Sequence, residues 1–213
     1  LIRRYHDTKL SLERLTEIRQ MKDEEPNNIN FITRFSENRE ILIRNLRFAY
    51  PGTDDDVLKG INLNIPEGKT TAIVGASGSG KTTLIKLLLK FYDDYEGQIS
   101  LGAHPLSRMS PSFWRSNCGT VMQESFIFSD SIANNIAISA EDIDYERLEY
   151  AIKIANINDY IDNLPLGVHT KIGAEGLGLS QGQKQRLLIA RAVYKNPEFI
   201  FFDEATNALD ASN

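Results

Sequence analysis

The sequence is short of cysteine, of long apolar runs and of surplus positive charge. A single cysteine, Cys118, excludes an internal disulfide and any metal site built on several thiolates. It reads as a small buried apolar residue. No stretch approaches the ~18 consecutive apolar residues of a membrane-spanning helix. The formal net charge is −5, with both signs spread along the chain and no basic stripe, so a nucleic-acid-binding surface is not expected. No secretory leader precedes the first helix-like segment. The first residue is Leu1 rather than Met, which reads as a fragment or a processed chain. Internal repeats and low-complexity tracts are also missing. With 213 residues, the chain is long enough to bury a sizeable core.

What is present centres on Gly75-Ala76-Ser77-Gly78-Ser79-Gly80-Lys81-Thr82-Thr83, which fits the phosphate-loop pattern of Gly, four residues, then Gly-Lys-[Ser/Thr]. The apolar run Thr71–Val74 before it reads as a buried strand. The run from Thr82 to Phe91 after it places Leu84, Ile85, Leu87, Leu88 and Leu89 on a wide apolar face and reads as a helix. Glycines let the backbone turn tightly and aim its N–H groups at a phosphate, and the helix N-terminus adds partial positive charge on the same side. Lys81 can reach terminal phosphates, and the Thr82 hydroxyl can ligate Mg²⁺.

Residues 1–25 read as an amphipathic helix, with Leu12, Leu15, Ile18 and Met21 recurring among charged residues. It either docks on the core or connects to something upstream. Residues 26–40 are polar and read as a linker. Ile41 to Phe48 and Val57 to Ile65 partly alternate and read as half-buried strands of an antiparallel, hairpin-like element. Short strands are expected at Gly97–Gly102 and Gly119–Gln123. From Phe126 to Asn163 the pattern is mainly helical, with a stripe of Tyr145, Leu148, Ala151, Ile152 and Ile154. Ser180 and Gln183 have the spacing of a capping box opening a helix to Tyr194. Glu198–Phe202 is an apolar run of the kind expected for a strand buried on both faces. It ends in Asp203-Glu204. Asp203 at the end of such a strand can hold Mg²⁺ beside Thr82, and Glu204 can polarise an attacking water.

The stretch Leu179-Ser180-Gln181-Gly182-Gln183-Lys184-Gln185-Arg186 resembles the signature motif of ATP-binding cassette (ABC) ATPases. It lies between the phosphate loop and the Asp-Glu strand end, in that family's order. The resemblance runs from about Ile41 to Asp210. It implies an α/β fold: a P-loop NTPase core with a parallel sheet, an N-terminal antiparallel β subdomain and an inserted α-helical subdomain at about residues 124–180. The ATPase domain would then occupy 41–213 and be incomplete at its C-terminus. The family places a core strand between the phosphate-loop and Asp-Glu strands that this chain does not reach.

Roles follow position by position. ATP would be held by Gly75, Ser77, Gly78, Ser79, Gly80, Lys81, Thr82 and Thr83, with Tyr50 stacked on the base; such stacking is worth about 1–3 kcal/mol. Mg²⁺ would be held by Thr82, Asp203 and Gln123. Glu204 and Gln123 would act catalytically on water. Ser180, Gly182 and Gln183 would reach the ATP of a second ABC ATPase domain in a head-to-tail dimer, and Ala208-Leu209-Asp210 would contact that partner.

Three departures stand out. Gln181 replaces the usual first glycine of the signature. The acid of the preceding loop, Glu175, sits one position late. The only histidines, His6, His104 and His169, all precede Asp203, so none fills the family's switch position, and the chain as given is expected to be catalytically impaired and poorly stable.

Residues 1–25 resemble the intracellular end of the last transmembrane helix of exporters whose membrane domain precedes the ATPase. Phe126 to Ile136 resembles the exporter surface that receives the membrane domain's coupling helices. The implied function is an ATPase powering export, of peptide or bacteriocin type, at the cytoplasmic face of the cell (inner) membrane. The alternative is a soluble ABC ATPase acting on nucleic acid or ribosomes. A phosphate-loop kinase or GTPase is disfavoured by the signature motif.

Overall fold

The computed structural model describes residues 12, 16, 19, 23–26, 28–123, 125–138, 140–174 and 176–203. The chain divides into two compact units, Leu1–Ile32 and Thr33–Asn213. In the first, Leu12, Thr16 and Arg19 are helical, and the Thr16 hydroxyl donates to Leu12 O at 2.8 Å. Leu15, Ile18 and Met21 lie outside the described residues.

The second unit begins with an antiparallel sheet. Its strands are β1 (Ile41–Phe48), β2 (Leu58–Ile65), β3 (Glu96–Leu101) and β4 (His104–Pro105), in the order β2-β1-β3-β4. The imperfect alternation of β1 has a local cause. Ile41 and Ile43 face the core, and so do Leu46 and Phe48, although a strict period of two would turn Leu46 outward. The register shifts between Ile43 and Leu46, and Asn45 takes φ 46°. This bulge resets the parity and keeps all four apolar residues on one face.

Helix α1 (Lys81–Leu88) buries Leu84, Ile85, Leu87 and Leu88, and Leu89 beyond it is buried too. It stops short of the expected Phe91 because Lys90 turns left-handed at φ 56°. Helix α2 (Pro111–Ser116) is capped by the Ser110 side chain and carries Trp114, which has no exposed surface. Its indole N–H donates to Leu88 O at 2.6 Å, tying α2 to the end of α1. Strands β5 (Cys118–Val121) and β6 (Phe199–Phe202) pair in parallel, with Cys118 opposite Phe199 and Val121 opposite Phe202. Cys118 is buried, as expected.

A second apolar cluster joins the remaining helices: α3 (Ile132–Ile136), α4 (Tyr145–Ile154), α5 (Asn158–Asp162) and α6 (Gln181–Tyr194). Ile132, Ile136, Leu148, Ala151, Ile161 and Leu187 are among its buried members. Val121, Leu188 and Ala192 form a smaller cluster where α6 meets β5. α6 therefore packs on the parallel strands on one side and on the helical layer on the other.

Three expectations fail. Thr71–Val74 forms no strand; Ile73 is 38 % and Val74 89 % exposed. A strand exists only through its ladder, and this run pairs with no other strand among the described residues. β6 is not buried on both faces, since Ile200 and Phe202 are about half exposed. α2 packs through Trp114 on the face of Phe199 and Phe201, while α6 packs over β5 on the face of Gly119 and Val121 and leaves Ile200 and Phe202 of β6 exposed. In α4 the inward stripe is narrower than expected, with Leu148, Ala151 and Ile152 buried and Tyr145 and Ile154 exposed. No helix of the described residues is long and apolar enough to cross a membrane.

Candidate nucleotide site

The loop from Gly75 to Ser79 lies exposed and delivers the chain into α1 through Gly80, the residue preceding the helix. Gly80 has φ 90°, and a Cβ there would come within 2.7 Å of the Leu58 side chain. The left-handed backbone therefore favours glycine, and a Cβ would also have to push aside the end of the Leu58 side chain. The Lys81 ammonium turns back over the loop and donates to Gly75 O and Ala76 O, each at 2.8 Å.

The acid expected at the end of β6 reaches the loop. Asp203 is 4 % exposed, and its Oδ1 accepts from the Thr82 hydroxyl at 3.0 Å. Its position is set by the parallel ladder, since Asp203 N continues the β5–β6 pairing by donating to Val121 O at 2.9 Å. The other carboxylate oxygen, Oδ2, is buried without a hydrogen-bond partner among the described residues. A buried carboxylate oxygen left unpaired is costly. A hard divalent cation, which prefers carboxylate and hydroxyl oxygens, fits this pair.

Tyr50 reaches the same helix from the sheet side. Its hydroxyl shares a hydrogen bond of 2.9 Å with Thr83 Oγ1. Its ring packs edge-on against Phe48 at 5.1 Å and Tyr92 at 5.4 Å between centroids. The base-stacking candidate and the phosphate-binding helix are therefore linked directly. The part of Tyr92 was not legible beforehand, and the only sequence signal was an aromatic just after an apolar helix.

Gln123 lies exposed in the turn after β5. Ser125 holds this turn, its hydroxyl accepting from Met122 N at 3.2 Å and donating to Met122 O at 2.7 Å. Ser180, Gly182 and Gln183 stand at the start of α6. The capping box is formed on both sides: Ser180 Oγ accepts from Gln183 N at 3.2 Å, and Gln183 Oε1 accepts from Ser180 N at 2.9 Å. Among the described residues, their side chains make no hydrogen bond to the phosphate loop. Glu204, Glu175 and Ala208-Leu209-Asp210 lie outside the described residues.

A threonine heading a glycine-preceded helix, bonded to an acid from a parallel strand, is the arrangement by which phosphate-loop proteins present a hydroxyl and a carboxylate to one cation. The fold and this pairing thus define an α/β nucleotide-binding protein of the phosphate-loop class. The family model described as ABC transporter matches residues 58–207, and the chain belongs to that family. It is 45 % identical over 174 residues to ATP-binding cassette sub-family B member 10, mitochondrial, of Mus musculus, covering 80 % of this chain and 24 % of that protein. It is 42 % identical over 173 residues to the alpha-hemolysin translocation ATP-binding protein HlyB of Escherichia coli, covering 81 % of this chain and 24 % of HlyB. The chain thus spans about a quarter of the curated relatives it matches. A solved bacterial Atm1-family ABC exporter with ATP bound superposes with a TM-score of 0.85 at 34 % identity, over 97 % of this chain and 36 % of that one.

Proposed function

We propose that the chain binds Mg·ATP and hydrolyses it, and that it does so as the motor domain of an exporter. The observation that carries this reading is the Thr82–Asp203 contact beside the phosphate loop, with the second Asp203 oxygen unpaired among the described residues. Thr82 and Asp203, with Gln123 two residues beyond the Val121 that pairs with Asp203, would hold Mg²⁺, which when bound neutralises charge on the terminal phosphates. The loop N–H groups from Gly75, Ser77, Gly78, Ser79 and Gly80, with Thr83, would cradle the phosphates. Lys81 would exchange its contacts with Gly75 O and Ala76 O for phosphate oxygens. Tyr50 would present its ring to the base, and Glu204 would orient the attacking water.

Ser180, Gly182 and Gln183 would meet the ATP held by a second cassette, so that ATP closes a head-to-tail dimer and hydrolysis lets it open. ATP drives closure because it binds the closed state better than the open one. Residues 1–25 would be a connector from an upstream membrane domain and 26–40 a linker. The cassette would be 41–213, with a helical subdomain near 124–180, set at the cytoplasmic face of the inner membrane. The translocation names of relatives such as HlyB agree with peptide or bacteriocin-type cargo. The relatives and the net charge of −5 lend no support to the nucleic-acid alternative.

Two variants of the complete transporter test this. Lys81→Ala is expected to lose nucleotide binding by at least about tenfold, since a charge-assisted phosphate contact is worth roughly 1.5–3 kcal/mol. Glu204→Gln is expected to trap an ATP-dependent cassette dimer, seen by cross-linking. Wild-type nucleotide affinity in the first variant removes the phosphate-loop assignment, and no trapped dimer in the second removes the sandwich.

A further inference from the structure

Helix α6 carries an arginine among buried apolar residues. Leu187, Leu188, Ala190 and Ala192 are all buried, and Arg191 lies in their midst. Its guanidinium donates from Nε to Asn135 O at 2.8 Å, from Nη1 to Phe126 O at 3.0 Å and from Nη2 to Asn135 Oδ1 at 3.4 Å. The Phe128 ring lies 5.9 Å from the guanidinium carbon, within cation–π range. No carboxylate pairs with Arg191 among the described residues. Burial lowers its pKa from the ordinary value, which reflects how far the charge is taken from water. An aliphatic residue would pack here without that penalty. The position instead holds a charged fork aimed at the main chain of one loop and at one amide.

Asn135 completes the grip. It is fully buried; its Oδ1 accepts from Phe128 N at 2.8 Å, and its Nδ2 donates to Phe128 O and Ser131 O, both at 3.0 Å. The far edge of the same loop is held by main-chain bonds, Ile132 N to Thr170 O at 3.1 Å and Ile172 N to Asp130 O at 2.9 Å. Gly173, at φ 93°, approaches so closely that a Cβ would lie 2.8 Å from Phe128 O. Residues 126–131 are therefore clamped between α6 and residues 170–173. They begin just after the Gln123 turn, and they present Phe126 and Phe128 outward, 65 % and 48 % exposed and packed edge to face.

We propose that Arg191 is a positioning residue: it locks residues 126–131 to α6, so that the Gln123 turn, the exposed Phe126–Phe128 pair and Ser180 shift as one body. The inference rests on the ATPase reading above, which gives Gln123 and Ser180 their roles. Only a planar fork reaches Phe126 O and Asn135 together; a lysine ammonium can serve one of them. Rotation of α6 is transmitted to the aromatic pair through these bonds, and displacement of the pair is transmitted back to Ser180.

The test compares Arg191→Gln and Arg191→Lys with wild type in the complete transporter, by hydrogen–deuterium exchange and steady-state ATP hydrolysis. In Arg191→Gln, amides of 126–131 are expected to exchange about tenfold faster while those of α6 keep their protection. The kcat is expected to fall about tenfold with KM for ATP within about twofold, and Arg191→Lys to recover part of both losses. Wild-type exchange at 126–131 overturns the proposal. So does faster exchange spread over α6 and both sheets, which is the mark of general destabilisation. If Arg191→Gln does not accumulate, Arg191→Lys is read by the same criteria. A wild-type transporter without ATPase activity would count against the function proposed above, and the exchange measurement would still decide this one.

Discussion

Burial pushes the Cys118 thiol from an ordinary value of 9.0 up to about 12, although Lys195 and Arg115 nearby pull the other way. The folded chain thus holds this proton more tightly than the unfolded chain. Its contribution to stability is complete below pH 9.0 and is lost as pH rises toward about 12. The thiolate is the reactive form, so alkylation by iodoacetamide at pH 8 is expected to be negligible in the native protein and complete in denaturant. Rapid native labelling would contradict the packing around β5. The same scale shows how unevenly single residues could be read from sequence. Asp203 was legible because an acid after an apolar run, downstream of a glycine loop, has few other uses. Arg191 was not, because one arginine in a helix also fits an exposed stripe. Only the fold shows that its guanidinium points at the carbonyl of Phe126.

At the level of elements, local signals were dependable and partner-dependent ones were not. The capping box of α6 needs only residues 180–183 and appears as read. The apolar face of α1 was also correct, because a helix makes its own hydrogen bonds. Thr71–Val74 depended on neighbours that sequence could not supply, and it stands unpaired among the described residues. The bulge at Asn45 was hidden because its effect is to restore, three residues later, the face that a regular strand would have lost. Trp114 shows how elements are tied. Its indole donates to Leu88 O at the end of α1, and its ring lies 5.0 Å from that of Phe199 in β6. Trp114→Phe would keep most of the packing and leave Leu88 O unpaired in a buried site. A loss of about 1–3 kcal/mol is expected in denaturant unfolding, read by far-ultraviolet circular dichroism. Stability equal to wild type would mean that water replaces the indole.

At the scale of the molecule, the parallel pair has a helix on each face, and β6 is covered less fully than β5. α6 packs over β5 on the face of Gly119 and Val121, joining the parallel pair to the helical layer. Ile200 and Phe202 lie on that same face but beyond what α6 covers, each more than 40 % exposed. An apolar run such as Phe199–Phe202 says that a strand lies in a core, but not how far the helices on its faces extend over it, so the reading of two buried faces went too far. The class of the fold was legible for the opposite reason. Phosphate loop, signature stretch and acid-ended strand occur in one order, and that order is a property of the whole chain.

The cap on α6 has a consequence for what its end can recognise. Ser180 uses its oxygen as an acceptor within the helix, and Gln183 uses its carbonyl oxygen in the same way. The hydroxyl hydrogen and the two amide hydrogens have no part in the cap. The helix end therefore faces outward as a set of donors, and whatever completes it must bring lone pairs. Asp is as good a cap as Ser but has no hydrogen to offer. Ser180→Asp is thus expected to leave thermal stability within about 0.5 kcal/mol of wild type and to abolish the ATP-trapped dimer of the Glu204→Gln background. Ser180→Ala would cost about 1 kcal/mol of helix stability as well. An aspartate variant that still dimerised would show that the helix end is only a cap. Loss of the dimer at full stability would separate, at one atom, holding a helix together from reaching across to a neighbour.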